Sequence, residues 1–257
     1  FAAGVGQKAS SWLGDQYVGS DGQHYYSPVP TNFLAYNSDG TTDKRSGSGG
    51  SAYRHYMLTD SDGVTHSVYC VESGIPYNTS ENTYTSENGT NSDYLNMLPS
   101  AARRGITLTA IYGWKPGASL PVSGINEDDY KMATQIILWE YQQQLRSDPY
   151  SRHSNGHASA DQYYSVVAGR PAEKAYNWIL EQVASHSTVP SFTAANKGDA
   201  PVLELKWDTS RKVYTLTVTD TNNLNIDLQM LSGSGVTVSR NGNQYTFTSK
   251  NMIMEPV

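Results

Sequence analysis

One cysteine and one glutamine stand out as a chemical pair. Cys70 is the only cysteine among 257 residues, and it lies in THSVYCVESG, a run that alternates like a strand. Gln135 falls on the apolar stripe of a long helical pattern formed by Met132, Ile136 and Trp139. A buried amide without a partner costs about 1–3 kcal/mol, so a glutamine at this position is unusual. A thiol and a carboxamide in fixed contact can form a thioester and release ammonia, because rigid orientation supplies effective molarities of about 10⁵–10⁸ M.

Each of the two residues also has an ordinary explanation when it is considered alone. A buried cysteine can act as a small apolar side chain, and a core glutamine can be held by ordinary hydrogen bonds. A single cysteine excludes an internal disulfide framework and a cysteine-rich metal site. In a secreted protein, an odd cysteine also indicates intermolecular pairing or a reactive thiol. Spacing alone leaves these alternatives open.

The composition is typical of an extracellular protein rich in β-structure. Charged residues make up 16% of the chain, and there are 19 tyrosines. The net charge of −6 argues against a nucleic-acid partner, which requires clustered lysine and arginine. The longest aliphatic or aromatic run, IILW, is too short for a membrane span, so we expect no membrane insertion. If the protein is exported, we expect that its leader has been removed and that a C-terminal anchor is missing from this sequence.

Local patterns predict the elements that must position the pair. SAYRHYML and VTHSVYCVE flank TDSDG, which predicts a hairpin with Cys70 near the end of its second strand. DYLNMLPSAARRG predicts a short helix that stops at Gly105, and ITLTAIYGW predicts a strand. Residues 126–148 predict a long helix with Asn126 as its N-cap, and residues 171–186 predict a second helix.

The C-terminal part of the chain has a different character. VLELKWD, RKVYTLTV, NLNIDLQML, GVTVS and NQYTFTS alternate with period two and are separated by turns. We therefore predict one domain over residues 1–194. Residues 195–257 form either a separate β-module or strands that complete the first domain.

The motifs around the pair resemble those of the thioester domains of Gram-positive surface adhesins. VYCVESG is similar to the aromatic-Cys motif of that family, and ATQIILWEYQ is similar to its Thr-Gln motif. LTAIYGW lies between them, where the family often has a Gly-aromatic stretch. The resemblance covers about residues 20–190. The sequence departs from the family at Ile137, where a small residue is usual.

The resemblance implies a fold that is mostly β with an α insertion (α+β). We expect a β-sandwich thioester domain with a helical subdomain, followed by a small all-β, Ig-like unit. Cys70 and Gln135 would form the thioester. Thr134 would help to orient the glutamine, while Tyr69 and Trp139 would limit the access of water.

The resemblance also implies a function. We expect a monomeric protein that is secreted and anchored to the cell wall of a Gram-positive bacterium. It would bond covalently to lysine amines of a host cell-surface or extracellular-matrix protein. Each molecule would react once, so the protein would not be a turnover enzyme, and it would need neither a cofactor nor a metal.

Two other functions compete with the thioester. A cysteine enzyme needs a histidine beside Cys70. The histidines are His24, His55, His66, His153, His157 and His186. On the predicted strand, His66 would lie about 13 Å from Cys70, too far away to act as its base. A non-covalent adhesin or structural module would keep Cys70 as a free, buried thiol.

Overall fold

The structure is a computed structural model with two units. It describes residues 5–28, 32–37, 39–47, 50–81, 83–89, 92–146, 149–194, 199–230 and 235–256. The chain divides by its contacts into Phe1–Ser185 and His186–Val257. The predicted boundary, between residues 194 and 195, lies at the edge of residues 195–198, which are outside the described residues. About 24% helix and 26% strand confirm the predicted α+β class.

The strands of the first unit form a four-stranded antiparallel sheet and a separate pair. They are β1 (Lys8–Gln16), β2 (Asn32–Tyr36), β3 (Thr42–Ser46), β4 (Arg54–Asp60), β5 (Thr65–Val68) and β6 (Tyr84–Thr85). The sheet order is β5-β4-β1-β6, while β2 pairs with β3. The predicted hairpin of β4 and β5 is confirmed. Cys70 lies two positions beyond the end of β5, so its placement on the strand itself was wrong.

The helices follow the sheet in the chain. They are α1 (Asp93–Met97), α2 (Ser100–Tyr112), α3 (Glu127–Gln142), α4 (Ala160–Tyr164) and α5 (Ala172–His186). The predicted helix over residues 171–186 is confirmed as α5, whose buried residues follow the expected helical spacing. None of the described helices is long and apolar enough to cross a bilayer.

Helix α2 corrects two predictions. Gly105 does not end a helix, and residues 106–112 form its continuation rather than a strand. The buried residues Ala102, Gly105, Ile106 and Thr109 are three or four positions apart, which is the spacing of one helical face. A Cβ at Gly105 would lie 2.1 Å from Tyr141 Cδ1. The glycine therefore allows α2 to pack closely against α3.

Helix α3 is the predicted long helix, but it ends at Gln142 and does not continue through residues 143–146 as predicted. It forms the centre of the first unit. It begins after Asn126, whose side chain accepts a hydrogen bond from the backbone N–H of Asp129 at 2.9 Å. The Asp129 carboxylate accepts one from the Asn126 N–H at 2.8 Å and another from the Tyr25 hydroxyl at 2.6 Å. Every residue from Asp129 to Gln142 is buried. The helix is therefore surrounded by the core of the first unit. Its cap and the hydrogen bond from Tyr25 fix where it begins and which way its side chains face.

The second unit contains a small antiparallel sheet. Its strands are β7 (Lys206–Asp208), β8 (Val213–Thr219), β9 (Val236–Asn241) and β10 (Gln244–Ser249), in the order β7-β8-β10-β9. The strand predicted at NLNIDLQML is wrong, because its described residues 223–230 form none. Asn223 and Asn225 have φ of 54° and 52°, outside the extended region. The N–H of Leu224 donates to the Asp220 carboxylate instead of joining a ladder.

Candidate functional site

Cys70 and Gln135 meet between the end of β5 and the middle of α3. The N–H of Cys70 donates to Gln135 Oε1 at 2.9 Å, and Gln135 Nε2 donates to the Cys70 carbonyl oxygen at 2.7 Å. Gln135 is fully buried, with 0% of its surface exposed. The fold thus brings together the two residues that the sequence analysis paired. The thioester bond between them stays a prediction.

The segment that follows Cys70 is held in a fixed path. Gly74 adopts a φ of 85°, and a Cβ there would lie 2.4 Å from the Phe33 ring. The N–H of Ser73 donates to the Gln142 side-chain oxygen at 3.1 Å. Since Gln142 ends the helix that carries Gln135, one helix orients both the amide and the loop of the thiol.

Cys70 faces a cleft with a volume of about 140 Å³. Trp139 lines the cleft together with Tyr56 and Tyr77, whose rings stack with centroids 4.4 Å apart. None of the side chains that line this cleft in the described part of the chain is charged. Because a charged amine loses hydration energy in such surroundings, the cleft favours the neutral, nucleophilic form.

The pKa of the Cys70 thiol depends on its burial and on two nearby groups that act in the opposite direction. Burial raises the pKa of Cys70, while the Glu72 backbone and the Trp139 indole act to lower it. The indole Nε1 of Trp139 is buried without a hydrogen-bond partner among the described groups. Its N–H is therefore available to a thiolate in the cleft, where it could stabilise the sulfur that leaves an opened thioester.

A second donor reaches the carbonyl oxygen of Gln135. The hydroxyl of Tyr53 donates to Oε1 at 3.0 Å, beside the N–H of Cys70 on the same oxygen. Burial raises the pKa of Tyr53 well above its usual value, so the hydroxyl keeps its proton. Two donors on one carbonyl oxygen form an oxyanion hole for attack at the carbonyl carbon. Tyr53 was not among the predicted site residues, because in the sequence it is only one letter of SAYRHYML.

The three predicted supporting residues divide into two groups. Trp139 lines the cleft of Cys70. Thr134 Oγ1 accepts from the Trp114 N–H at 3.0 Å and donates to the Tyr130 carbonyl at 2.8 Å. The Tyr69 hydroxyl donates to the Trp114 carbonyl at 2.8 Å. Thr134 and Tyr69 therefore fix the segment after α2, and these contacts do not involve the amide of Gln135.

The hydrogen bonds of Cys70 do not include a histidine in the part of the chain that the structure describes. Its Sγ contacts the Glu72 carbonyl at 3.4 Å, and its backbone bonds to Gln135. His66 instead pairs with a strand carboxylate, at 2.9 Å. Across the described ranges, no cluster of three or more His, Cys, Asp or Glu residues could hold a metal ion. The described geometry thus places the buried Gln135 amide against the Cys70 backbone, with two hydrogen-bond donors on its oxygen.

A family comparison agrees with this geometry. The model of the thioester domain family matches residues 67–185. Residues 67–185 are therefore similar to a thioester domain. The match includes Cys70 and Gln135 and confirms the resemblance found in the motifs, while Tyr53 lies outside the matched residues. Neither a curated protein nor a solved structure matches the chain.

Proposed function

We propose that this protein captures amines covalently, through a thioester between Cys70 and Gln135. The observation that carries the proposal is the paired hydrogen bonding of the buried Gln135 amide with the Cys70 backbone. In the bond-forming step, Cys70 Sγ attacks Gln135 Cδ, and the C–N bond breaks. The thiol proton leaves with the amide nitrogen as ammonia, so the step needs no cofactor.

The capture step reverses the roles of the sulfur and the nitrogen. A neutral amine attacks Gln135 Cδ, and negative charge develops on Oε1 between the Tyr53 hydroxyl and the Cys70 N–H. The C–S bond then breaks, an amide forms at Gln135, and a proton of the amine passes to the sulfur. Trp139 would stabilise the departing thiolate through its indole N–H.

The chemistry of the cleft and the family match support a lysine side chain as the natural nucleophile. An uncharged cleft with aromatic walls suits an unbranched alkyl amine and limits the water that would hydrolyse the bond. We infer a surface adhesin on a Gram-positive cell wall, with a host cell-surface or extracellular-matrix protein as its partner. Each molecule would react once, so the activity is covalent binding rather than turnover.

A non-covalent adhesin module is the second candidate. The observation that favours it is the hydrogen bonding of the Gln135 amide, whose oxygen and nitrogen both have partners without a thioester. In that case, Cys70 would remain a free thiol, and amines would not react with the protein.

Reaction with methylamine separates the two candidates. The thioester predicts one methylamine adduct at Gln135 and one newly titratable thiol at Cys70, which appear together because one bond opens. Gln135→Ala and Cys70→Ala should show neither change. The proposed partner complex should survive boiling in detergent, and Gln135→Ala should abolish it. A thiol that titrates fully before methylamine is added would contradict the proposal.

A further inference from the structure

A second cluster of reactive groups lies one helical turn before Gln135 on α3. Lys131 Nζ lies 3.4 Å from His55 Nδ1, and His55 Nε2 lies 3.0 Å from Asp128 Oδ1. Lys131 and Asp128 belong to the first two turns of α3, whereas His55 lies on β4. A potential nucleophile thus contacts a base, and a carboxylate orients that base. This is the arrangement of an activated nucleophile.

The cluster opens onto its own cleft. That cleft has a volume of about 300 Å³, and the apolar Trp12, Leu13 and Met57 line it together with the charged Asp15 and Arg54. Trp12 and Leu13 are 42% and 39% exposed, whereas Lys131 is only 8% exposed. The amine therefore lies within the cleft and not in bulk solvent. This cleft and the cleft of Cys70 share no lining residue.

The groups around Lys131 act on its protonation in opposite directions. Burial lowers the pKa of Lys131 and outweighs Asp128 and Glu127, whose negative charges raise it. The ring of Trp114, with its centroid 3.9 Å from Nζ, also favours the charged amine. Because the net shift is downward, more of Lys131 is neutral at a given pH than of an ordinary exposed lysine. His55 can accept a proton from that amine while Asp128 holds its ring.

We propose that Lys131 is a second covalent site, which takes small aldehydes as an imine. Lys131 Nζ attacks the aldehyde carbon, and His55 accepts a proton from the nitrogen and passes it to the aldehyde oxygen. The resulting carbinolamine loses water, which leaves a C=N bond, so no oxidant or reductant is needed. The apolar part of the wall, formed by Trp12, Leu13 and Met57, fits a short alkyl chain. The site uses none of the groups that bond to Gln135, and it goes beyond the proposed function.

Reductive trapping with propanal tests this site in the wild-type protein. Propanal and sodium cyanoborohydride at about pH 7 convert an imine into a stable propylated lysine, which peptide mapping locates. Lys131 should be labelled faster than the exposed Lys115. Since one pKa unit changes the neutral fraction about tenfold, the two rates should converge as the pH rises. Labelling of Lys131 no faster than Lys115 at neutral pH would overturn the proposal.

Two variants extend the test to the mechanism. Lys131→Met should remove the fast-labelling site and leave the labelling of Lys115 unchanged. His55→Gln should slow the labelling of Lys131 and leave Lys115 as the internal reference. If the His55→Gln protein folds and labels Lys131 at the wild-type rate, the role of His55 as base is overturned. The comparison within the wild-type protein does not depend on the folding of either variant.

Discussion

The hydroxyl of Tyr53 is one of two donors on Gln135 Oε1, at 3.0 Å beside the 2.9 Å bond from Cys70 N. Tyr53→Phe removes this donor and keeps the ring that packs edge-on against Trp139, with centroids 5.7 Å apart. Loss of one oxyanion donor typically slows acyl transfer about 10²–10³-fold, which is about 2.7–4 kcal/mol of barrier. The ground-state cost of one lost hydrogen bond is about 1 kcal/mol, so the variant should fold.

The assay for Tyr53→Phe is the rate of methylamine incorporation, followed by intact mass. Tyr130→Phe is the matched control, because its buried hydroxyl donates to the Tyr112 carbonyl at 2.6 Å instead of to Gln135. We expect Tyr53→Phe to react about 10²–10³-fold more slowly than wild type and Tyr130→Phe to react at nearly the wild-type rate. Equal rates for Tyr53→Phe and wild type would refute the oxyanion hole. Equal slowing in both variants would assign the effect to general stability.

Three further predictions concern stability. Cys70→Ala removes a crosslink between two residues 65 positions apart, so it should lower the free energy of unfolding in chemical denaturation by about 4 kcal/mol. An unchanged denaturation midpoint would argue against the crosslink. Gly105→Ala should lower the free energy of unfolding by about 1–3 kcal/mol, because its Cβ would lie 2.1 Å from the facing tyrosine ring. The control Gly89→Ala, whose Cβ would lie 3.8 Å from its nearest neighbour, should melt like wild type. Glu140→Gln leaves the buried Arg146 without its charge partner and should lower the free energy of unfolding by about 3–5 kcal/mol. A melting temperature within a degree or so of wild type would contradict this.

The elements that sequence predicts correctly carry their signals locally. The hairpin of β4 and β5 follows from an Asp-Gly turn, in which Gly63 has a φ of 79°. Helix α3 follows from its cap at Asn126. The second half of helix α2 was missed because ITLTAIYGW fits both a strand and a helix, and the role of Gly105 depends on Tyr141 in another helix. The hydrophobic periodicity of a few residues cannot reveal a contact with another helix.

The candidate site divides in the same way. Cys70 and Gln135 could be paired in advance, because each is an unusual residue within a recognisable motif. Tyr53 could not, because its hydroxyl meets Gln135 only after the fold brings together positions 82 residues apart. Ile137, the departure from the family motif, is fully buried in the core. The core therefore accommodates an isoleucine at a position where the family motif usually has a small residue.

Intact mass tests the Cys70–Gln135 thioester most directly. Purified wild-type protein should be lighter than its sequence mass by one ammonia, because Gln135 has lost its amide nitrogen to form the bond. Cys70→Ala and Gln135→Ala should each have the full mass calculated for the variant. A wild-type mass equal to the sequence mass, with a fully titratable Cys70 thiol, would contradict the thioester.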